Sequence, residues 1–509
     1  MYFSDLLKSI DPLQIHGDTK IEIQGLSYDS RHAESGDLFF ALRGVAVDGH
    51  RFIGTALANG AKAVVVEDES AVPAGVPFAK VADARLAMSL MAASFYGNPT
   101  DGIPMIGITG TNGKTTTSYI IEAILEEAGI PAAVLGTVNY RFRESTFPAP
   151  NTTPESVELQ KRLREMVEMG AKGAVMEVSS HALEQRRVDG CRFDAGVFTN
   201  LTRDHLDYHR DMGSYLASKK RLFTTLLAAD RVKPLRRAAI NVDDPYGWEI
   251  AGETVCPVIT YGLDASCDVT VADVHFSVTG ITGRLVTLAG EARFKSRLAG
   301  RFNLYNILAA AAAGIAIDLP LDAICRGIEN HGKVPGRLEM VENDRGIALF
   351  VDYAHTGDAL DNVLRTLADL ATGRIITVFG CGGDRDRGKR PVMGEVAGRY
   401  SDLAIITSDN PRSEPPQTIM AEIRDGIVGL GTREYAVDEL ADGLAEKGFV
   451  LVASRRAAIR LAVQVARPGD IVLLAGKGHE DYQIIGAERL HFDDREEAGA
   501  ALREKEEQV

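Results

Sequence analysis

The sequence has few cysteines, few aromatic residues and no long apolar segment. Its 509 residues include five cysteines, none in a Cys-x-x-Cys pair, and one tryptophan. These scattered cysteines do not form a disulfide framework, which favours a reducing compartment and predicts a cytoplasmic protein. The Ala-rich apolar run at 307–317 is well short of the ~20 residues that cross a bilayer. The first twelve residues also lack the pattern of a signal peptide.

Positive charge is also scarce. The chain has 56 Lys and Arg residues against 71 Asp and Glu residues, and its formal net charge is −15. This balance gives no general attraction to nucleic acid or to anionic membranes, because both require an excess of positive charge. We therefore expect small-molecule substrates, no nucleic-acid partner and no membrane span, and we expect the chain to be a monomer. The length corresponds to about three domains.

Two clusters of turn-forming residues, at 98–104 and 333–337, divide the chain into three parts. Strands and helices alternate in the second and third parts, as in parallel sheets covered by helices on both faces. We predict an α/β fold with three domains. They are a small N-terminal α/β domain (1–97), a central parallel-sheet domain with a phosphate loop (98–335) and a C-terminal Rossmann-like α/β domain (336–509).

A phosphate-binding loop is the clearest motif. Residues 105–117 read Met-Ile-Gly-Ile-Thr-Gly-Thr-Asn-Gly-Lys-Thr-Thr-Thr, which predicts a buried strand, a glycine loop and the start of a helix. In such loops backbone N–H groups surround phosphate oxygens, the lysine reaches the β and γ phosphates, and the next hydroxyl can bind Mg²⁺. Five residues, rather than the usual four, separate Gly107 from Gly113. The predicted ATP-binding residues here are Gly110, Thr111, Asn112, Gly113, Lys114, Thr115 and Thr116.

A cation site is predicted after the next strands. Glu177 ends a buried strand, where an isolated carboxylate is costly unless it is paired or bound to metal. His205 and His209, four residues apart, also admit a zinc site. The absence of a nearby cysteine and the presence of a nucleotide loop favour a hard cation such as Mg²⁺ instead. On the residues alone, Lys219 and Lys220 read as solvent-exposed lysines of a helix.

The segment Gly-Thr-Asn-Gly-Lys-Thr resembles the signature of the Mur ligases and of their folylpolyglutamate synthetase relatives, which join an acid to an amine with ATP. The resemblance extends over essentially the whole chain. It implies that Lys219 carries a CO₂-derived carbamate and shares Mg²⁺ with Thr115, Glu177 and His205. It also implies that Lys114, Glu177, His205 and Lys219 form the catalytic group. Burial beside other charges would favour the neutral amine that reacts with CO₂.

The same resemblance implies positions for both nucleotides and for the acid. The Asn-Thr-Thr-Pro segment at 151–154 and the segment at 179–188 resemble those that contact a sugar-peptide substrate. The segment at 26–31 resembles the uridine-binding module of the ligase that adds the third peptide residue. The implied contacts to the UDP-linked muropeptide are Tyr28, Ser30, Asn151, Thr152, Thr153, Ser179, Gln185 and Arg187. Asn306, Arg337 and Asp352 are implied to contact the adenine, phosphate and ribose of ATP.

Three buried strands of the C-terminal part end in polar loops, which should share one rim of the sheet. The Asp-Asn-Pro-Arg motif at 409–412 predicts carboxylate recognition, because arginine offers two parallel donors and proline fixes the turn. The motif resembles the version of the family that adds meso-2,6-diaminopimelate. The implied amino-acid contacts are Arg385, Asp409, Asn410, Pro411, Arg412, Gly476 and Glu480.

The resemblance as a whole implies an ATP-dependent amide ligase of peptidoglycan precursor synthesis, and hence of cell wall formation, cell shape and division. It would add meso-2,6-diaminopimelate to UDP-N-acetylmuramoyl-L-alanyl-D-glutamate through an acyl phosphate and release ADP and phosphate. Three alternatives remain. The same ligase could use L-lysine, which Arg412 disfavours. A folylpolyglutamate-type ligase is opposed by segments 151–154 and 409–412, and a P-loop switch or motor ATPase would form no bond.

Overall fold

The computed structural model describes residues 1–44, 47–204 and 206–506. Within these ranges the chain is an α/β protein, as predicted, and it forms two compact units. No helix of the described ranges is both long enough and apolar enough to cross a membrane. The first unit contains Met1–Ala272, Arg284–Phe294 and Tyr305–His331, and the second contains Asp273–Gly283, Lys295–Leu304 and the chain from Gly332 onward.

The first sheet is built near the N-terminus. Its elements are α1 (Phe3–Leu6), β1 (Gln14–His16), β2 (Gly25–Ser27), β3 (Asp37–Phe40), α2 (Ile53–Ala58), β4 (Ala63–Val66), β5 (Phe78–Lys80) and α3 (Ala84–Phe95). The strand order among described residues is β1-β5-β4-β3-β2, and only β1 runs antiparallel to its neighbour. Strands β3 and β4 are buried along their whole length. Asp83 caps α3 by accepting a hydrogen bond from Leu86 N.

The second sheet carries the phosphate loop. Its strands are β6 (Met105–Thr109), β7 (Ala132–Leu135), β8 (Tyr140–Phe142), β9 (Ser145–Phe147), β10 (Gly173–Glu177), β11 (Ala195–Phe198), β12 (Arg237–Asn241), β13 (Val258–Tyr261), β14 (Val269–Ser277), β15 (Gly280–Thr287) and β16 (Gly290–Ser296). Its order in the described chain is β16-β15-β14-β13-β12-β11-β6-β10-β7-β8-β9. Strand β6 lies between β10 and β11 and is parallel to both, so the three strands end at the same edge. The phosphate loop, Glu177 and Thr199 therefore meet there.

Several helices occur along the chain between β6 and the first strand of the third sheet. They are α4 (Lys114–Glu127), α5 (Ser156–Glu168), α6 (Ser180–Glu184), α7 (Leu206–His209), α8 (Met212–Arg221), α9 (Gly247–Glu253), α10 (Arg301–Ala316) and α11 (Leu321–Asn330). A π-helical turn, Leu222–Leu226, follows α8. Buried residues of α5, α6 and α8 form one hydrophobic core with β7, β8 and β10.

The third sheet lies in the second unit. Its elements are β17 (Glu339–Val341), β18 (Ala348–Asp352), α12 (Gly357–Leu370), β19 (Ile375–Phe379), α13 (Lys389–Tyr400), β20 (Leu403–Thr407), α14 (Pro416–Val428), β21 (Arg433–Glu434), β22 (Gly448–Val452), α15 (Arg455–Val465), β23 (Ile471–Ala475), β24 (Tyr482–Ile485), β25 (Glu488–His491) and α16 (Asp494–Glu506). The order in the described chain is β17-β18-β23-β19-β20-β22-β21, and β24 and β25 form a separate hairpin. One hydrophobic core joins the sheet to α12, α13 and α14, and another joins it to α15 and α16.

A buried ion pair joins the starts of the last two helices. Arg455 donates from Nε to Asp494 Oδ1 at 2.7 Å and from Nη2 to Oδ2 at 2.5 Å. Both side chains are fully buried. Such a pair is stable only while both partners remain, because either charge alone would be left in a low-dielectric interior.

Candidate active site

Glycine conformation shapes the phosphate loop. The loop leaves β6 after Thr109 and ends at α4, and both Gly110 (φ +147°) and Gly113 (φ +88°) have the positive φ that side chains disfavour. A Cβ on Gly113 would lie 2.3 Å from Asn306 Oδ1. The loop can therefore take this shape only with glycine, and the fold brings Asn306 directly against it. Thr115 and Thr116 are buried in the first turn of α4.

Two lysines meet on one carbonyl oxygen of this loop. Lys114 Nζ donates to Gly110 O and Thr111 O, each at 2.8 Å, and Lys219 Nζ also donates to Gly110 O at 2.8 Å. The interpretation of Lys219 as solvent-exposed is wrong, because its side chain is buried and its Nζ lies 4.4 Å from the centre of the Tyr215 ring. Burial, followed by the charge of Lys114, lowers the pKa of Lys219 well below its ordinary value.

Glu177 is a buried carboxylate held by hydroxyl and amide donors. It is 1% exposed at the end of β10. Thr115 Oγ1 donates to its Oε2 at 3.0 Å, while Thr137 donates from N to Oε1 and from Oγ1 to Oε2, each at 2.9 Å. No lysine, arginine or histidine in the described part of the chain forms an ion pair with it. A buried carboxylate beside a threonine hydroxyl is a suitable oxygen donor set for a hard cation.

The predicted histidine ligands are only partly located. His205 lies outside the described residues. His209 is buried, and its Nε2 shares a hydrogen bond of 2.8 Å with Ser180 Oγ. Among described residues, no group of three or more His, Cys, Asp or Glu side chains is arranged to hold a metal.

The segment after β11 holds the phosphate loop in place. Thr199 Oγ1 donates to Asn112 O at 2.7 Å, and Asn200 Oδ1 accepts from Asn112 N at 2.9 Å. Thr111 N donates to Asn200 O at 2.9 Å, and Thr111 Oγ1 shares a hydrogen bond of 3.2 Å with Tyr215 OH. Sequence reasoning missed these supporting contacts, although it singled out the polar segment itself.

The Asn-Thr-Thr loop lies beside Glu177. Thr153 Oγ1 donates to Glu177 O at 2.7 Å and accepts from Ser179 N at 3.0 Å. The hydroxyls of Thr152 and Thr137 share a hydrogen bond of 3.1 Å. The backbone oxygen of Asn151 accepts from Tyr140 OH at 2.6 Å. Four residues of the predicted acid site are thus packed at the edge where the phosphate loop lies.

Arg187 joins this group through several acceptors. Its Nη1 donates to Thr153 O at 2.9 Å, its Nη2 to Gln185 Oε1 at 2.8 Å, and it pairs with Glu155 at 2.8 Å. Sequence reasoning missed Glu155, although it directly follows the Asn-Thr-Thr-Pro segment. Burial raises the pKa of the Glu155 carboxyl, and Arg187 opposes this rise.

Tyr28 and Ser30, two of the predicted contacts to the UDP-linked muropeptide, follow β2 of the first sheet. Tyr28 OH donates to Glu158 Oε2 at 3.1 Å, and Ser30 O accepts from Asn59 Nδ2 at 2.8 Å. Within the described ranges, no hydrogen bond joins Tyr28 or Ser30 to Asn151. Burial and the neighbouring Glu158 raise the pKa of Tyr28 above its ordinary value.

In the second unit, three polar loops follow β19, β20 and β23 and meet at one rim. Gly383 N donates to Asn410 O at 2.9 Å, and Arg412 Nη1 donates to Gly383 O at 2.9 Å. Asn410 Nδ2 donates to Glu480 Oε2 at 2.9 Å. Arg385, whose Nη1 donates to Asp384 O at 3.5 Å, lies on the first of these loops. The fold therefore brings the predicted amino-acid contacts of three separate segments together.

A buried lysine lies among the acidic side chains of these loops. Lys477 is fully buried, and its Nζ lies 3.5 Å from both Asp409 Oδ1 and Glu480 Oε2. It lies 3.3 Å from Asn410 Oδ1. Burial raises the pKa of the Glu480 carboxyl, and the Lys477 charge opposes this rise. Sequence reasoning missed Lys477, although it lies between Gly476 and Glu480.

The β24–β25 hairpin fixes the backbone of the Asp-Asn-Pro-Arg loop. Ile484 N donates to Asn410 Oδ1 at 2.9 Å, and Arg412 N donates to Ile484 O at 3.1 Å. Gln483 Nε2 donates to Asp409 O at 2.6 Å. Arg412 has φ +51°, a left-handed conformation that is unfavourable for arginine unless its surroundings impose it. Pro411 precedes it in the same turn.

Asp352 supports the turn around Arg337. Its carboxylate accepts from Leu338 N at 2.7 Å and from Ala354 N at 2.8 Å, and burial raises its pKa. The guanidinium of Arg337 lies 4.9 Å from the centre of the Tyr353 ring. Gly476, with φ +115°, donates from N to Asp352 O at 3.0 Å.

Comparison with known proteins identifies the family. The Mur ligase family catalytic domain matches residues 22–96, the Mur ligase middle domain matches 108–314, and the Mur ligase glutamate ligase domain matches 336–478. A relative from Geobacter metallireducens, named UDP-N-acetylmuramoyl-L-alanyl-D-glutamate--2,6-diaminopimelate ligase, is 66% identical over 504 residues and is matched over 99% of both chains. The chain belongs to the Mur ligase family.

Solved structures agree with this assignment. The structure of a ligase with the same name has a TM-score of 0.72 and 33% identity, covering 99% of each chain. A MurF ligase from Thermotoga maritima in complex with ADP has a TM-score of 0.61 and 18% identity, covering 95% of this chain and 98% of that one. The second likeness concerns the fold alone.

Proposed function

We propose that this chain is an ATP-dependent ligase that adds meso-2,6-diaminopimelate to UDP-N-acetylmuramoyl-L-alanyl-D-glutamate in peptidoglycan precursor synthesis. The observation that carries the proposal is the cluster of Asn410, Arg412 and Glu480 at one rim. Diaminopimelate has a carboxylate and an ammonium group at each end. A guanidinium and a carboxylate on neighbouring loops suit one such end. The 66% identity to a relative named for this reaction supports the same assignment.

The reaction requires activation of a carboxylate. A free carboxylate is a poor acylating agent because its leaving group would be oxide. In the proposed reaction the γ-phosphoryl group of ATP moves to the side-chain carboxylate of the D-glutamyl residue, and the amine then displaces phosphate to form the amide. ADP and phosphate are released. Lys114 and the N–H groups of the phosphate loop would stabilise the charge on the transferring group.

Mg²⁺ fits the donors around Glu177. Thr115 and Glu177 would hold it, with His205 and a carbamate on Lys219 as further ligands. When bound, Mg²⁺ supplies positive charge beside the phosphates. The buried Lys219 amine, with its lowered pKa, supports the carbamate because only a neutral amine reacts with CO₂. Enzyme equilibrated with ¹³CO₂ should show a carbamate carbon resonance that is absent from a Lys219→Arg variant. An unmodified lysine in active, metal-loaded enzyme would contradict this modification.

The other predicted site residues are assigned to the muropeptide and to ATP. The contacts among Thr153, Ser179, Gln185 and Arg187 support a muropeptide site, to which Thr152, Asn151, Tyr28 and Ser30 are also assigned. Asn306, Arg337 and Asp352 are assigned to ATP. The three separate sheets and the three matched family segments support domains at 1–97, 98–335 and 336–509. We also propose a cytoplasmic location, where the nucleotide substrates are made, and a monomeric enzyme.

A single assay tests the proposal. Phosphate release is measured with the UDP-linked dipeptide, ATP and Mg²⁺, and with diaminopimelate or L-lysine as the amine. Rapid release should require both the dipeptide and diaminopimelate, and mass spectrometry should show the amide product. Release at the same rate without the dipeptide or the amine would indicate an ATPase that forms no bond. Equal rates with L-lysine would contradict the assigned specificity. Phosphate release with a folate as the acid would indicate a folylpolyglutamate-type ligase.

A further inference from the structure

An ion-pair cluster around a buried arginine lies next to the loops that carry Arg385 and Arg412. Arg390, in the first turn of α13, has no exposed side-chain surface. It donates from Nη1 to Glu414 Oε2 at 3.0 Å and from Nη2 to Glu414 Oε1 at 2.8 Å, and from Nη1 to Glu422 Oε2 at 2.8 Å. Paired donors hold a carboxylate in a fixed orientation. Glu414 is therefore fixed against α13 by two parallel hydrogen bonds.

Glu414 also reaches the neighbouring loop. Asp384 N donates to Glu414 Oε1 at 2.6 Å, and Ser413 Oγ donates to Asp384 Oδ1 at 2.7 Å. Asp384 and Arg412 both have positive φ, +54° and +51°. Such conformations persist in residues other than glycine only where the surrounding structure imposes them. The Arg390–Glu414 pair thus connects two strained turns, one at Asp384, directly before Arg385, and the other at Arg412, two residues before Glu414.

We propose that Arg390 and Glu414 are positioning residues that set the separation of the Arg385 and Arg412 guanidinium groups. This inference rests on the proposed function, in which those two arginines bind the incoming amino acid. Arg390 and Glu414 themselves contact no substrate and act through the two loops. Charged groups at a binding site must be held within about 0.5 Å of the productive geometry by neighbours whose own positions are fixed. A fully buried arginine with three carboxylate hydrogen bonds provides such a fixed point.

The chain offers a matched pair of variants to test this role. Glu414→Gln keeps the size of the side chain but removes the charge that joins Arg390 to Asp384 N. Glu422→Gln removes a charge from the same arginine. Glu422 also pairs with Arg387, beyond Arg385 on the same loop, but it contacts neither Asp384 nor Arg412 in the described structure. The measurements are KM for diaminopimelate, KM for ATP, kcat and the thermal midpoint of each variant of the full chain. Arg390→Lys serves as the conservative variant.

Glu414→Gln should raise KM for diaminopimelate at least tenfold and leave KM for ATP within twofold. Glu422→Gln should leave both KM values within twofold. Arg390→Lys should raise KM for diaminopimelate by a factor between those of the two glutamine variants. If Glu414→Gln fails to fold, Ser413→Ala, which removes the hydrogen bond from Ser413 Oγ to Asp384 Oδ1, should raise KM for diaminopimelate about threefold. Equal effects of Glu414→Gln and Glu422→Gln, or equal rises in both KM values, would overturn the inference. Absence of amine-dependent phosphate release by the unaltered chain would instead refute the proposed function.

Discussion

Replacing Glu177 with glutamine should separate the stability of the chain from its response to magnesium. The carboxylate is 1% exposed and accepts hydrogen bonds from Thr115 Oγ1 and from Thr137 N and Oγ1. No cationic side chain of the described residues is paired with it. Glutamine has nearly the same shape and can still accept from Thr137 N. The two threonine hydroxyls can rotate to accept hydrogen bonds from its amide.

The expected magnitudes follow from these contacts. Burial of an unpaired charge costs several kcal/mol, and hydrogen bonds to a charged group return roughly 1.5–3 kcal/mol each. The two terms nearly cancel, so we expect Glu177→Gln to change the free energy of unfolding by no more than about 1 kcal/mol in Mg²⁺-free buffer. In the unaltered chain, Mg²⁺ at a hundred times its Kd should add about 2.7 kcal/mol. The variant should lose nearly all of this gain.

The assay is thermal unfolding with a non-hydrolysable ATP analogue, in EDTA and at increasing Mg²⁺ concentrations. Glu168→Gln, an exposed change on α5, is the matched control and should keep the full Mg²⁺ response. Phosphate release measured in parallel should fall by about a hundredfold to a thousandfold in Glu177→Gln only, the range expected when charge stabilisation is lost. The reasoning would be refuted if Glu177→Gln lost more than about 2 kcal/mol in EDTA or still gained stability from Mg²⁺.

Three further substitutions test the sites separately. Arg412→Ala should raise KM for diaminopimelate roughly thirtyfold or more, because losing one partner of a charge pair costs about 2–5 kcal/mol. An equal rise in KM for ATP would contradict the role of Arg412 in binding diaminopimelate. Gly113→Ala, at φ +88°, should weaken ATP binding at least tenfold by calorimetry, while Gly102→Ala, with no atom within 4 Å of the new Cβ, should not. Asp494→Asn should lower the free energy of unfolding of the second unit by about 3–5 kcal/mol in denaturant titrations, because it leaves Arg455 buried without its charge partner. A loss below about 1 kcal/mol would argue against this stabilising role of the ion pair.

Features that depend on neighbouring residues in the sequence could be predicted. The order of strand, glycine loop and helix at 105–117 is local, and positive φ at Gly110 and Gly113 follows from the loop that the motif forms. The α/β class follows from the alternation of apolar strands and helices. The three C-terminal loops could be expected at one rim because parallel strands end at the same edge of a sheet.

Features that depend on distant segments could not be predicted from the residues alone. Lys219 lies on a helix whose buried face is decided by packing against the phosphate loop, so its burial has no local signal. Thr137 reaches Glu177 from another strand end, and Lys477 lies among carboxylates contributed by two loops. The pairing of Arg390 with Glu414 depends in the same way on how α13 packs against the loop before α14. Such contacts are fixed by tertiary packing and not by spacing along the chain.

The burial of positive charge in the second unit has a consequence for the effect of ionic strength. The chain has a net charge of −15, yet Arg390, Arg455 and Lys477 have no exposed side-chain surface. Salt screens exposed charges beyond about 8 Å at 0.15 M but acts weakly on buried pairs. Each of these three cations is paired with carboxylates of the chain itself and adds no net attraction for an anion. Anionic substrates therefore meet the repulsion of the net negative charge, which salt screens. Moderate salt should speed their capture, the reverse of its effect on enzymes that attract anions through a basic surface.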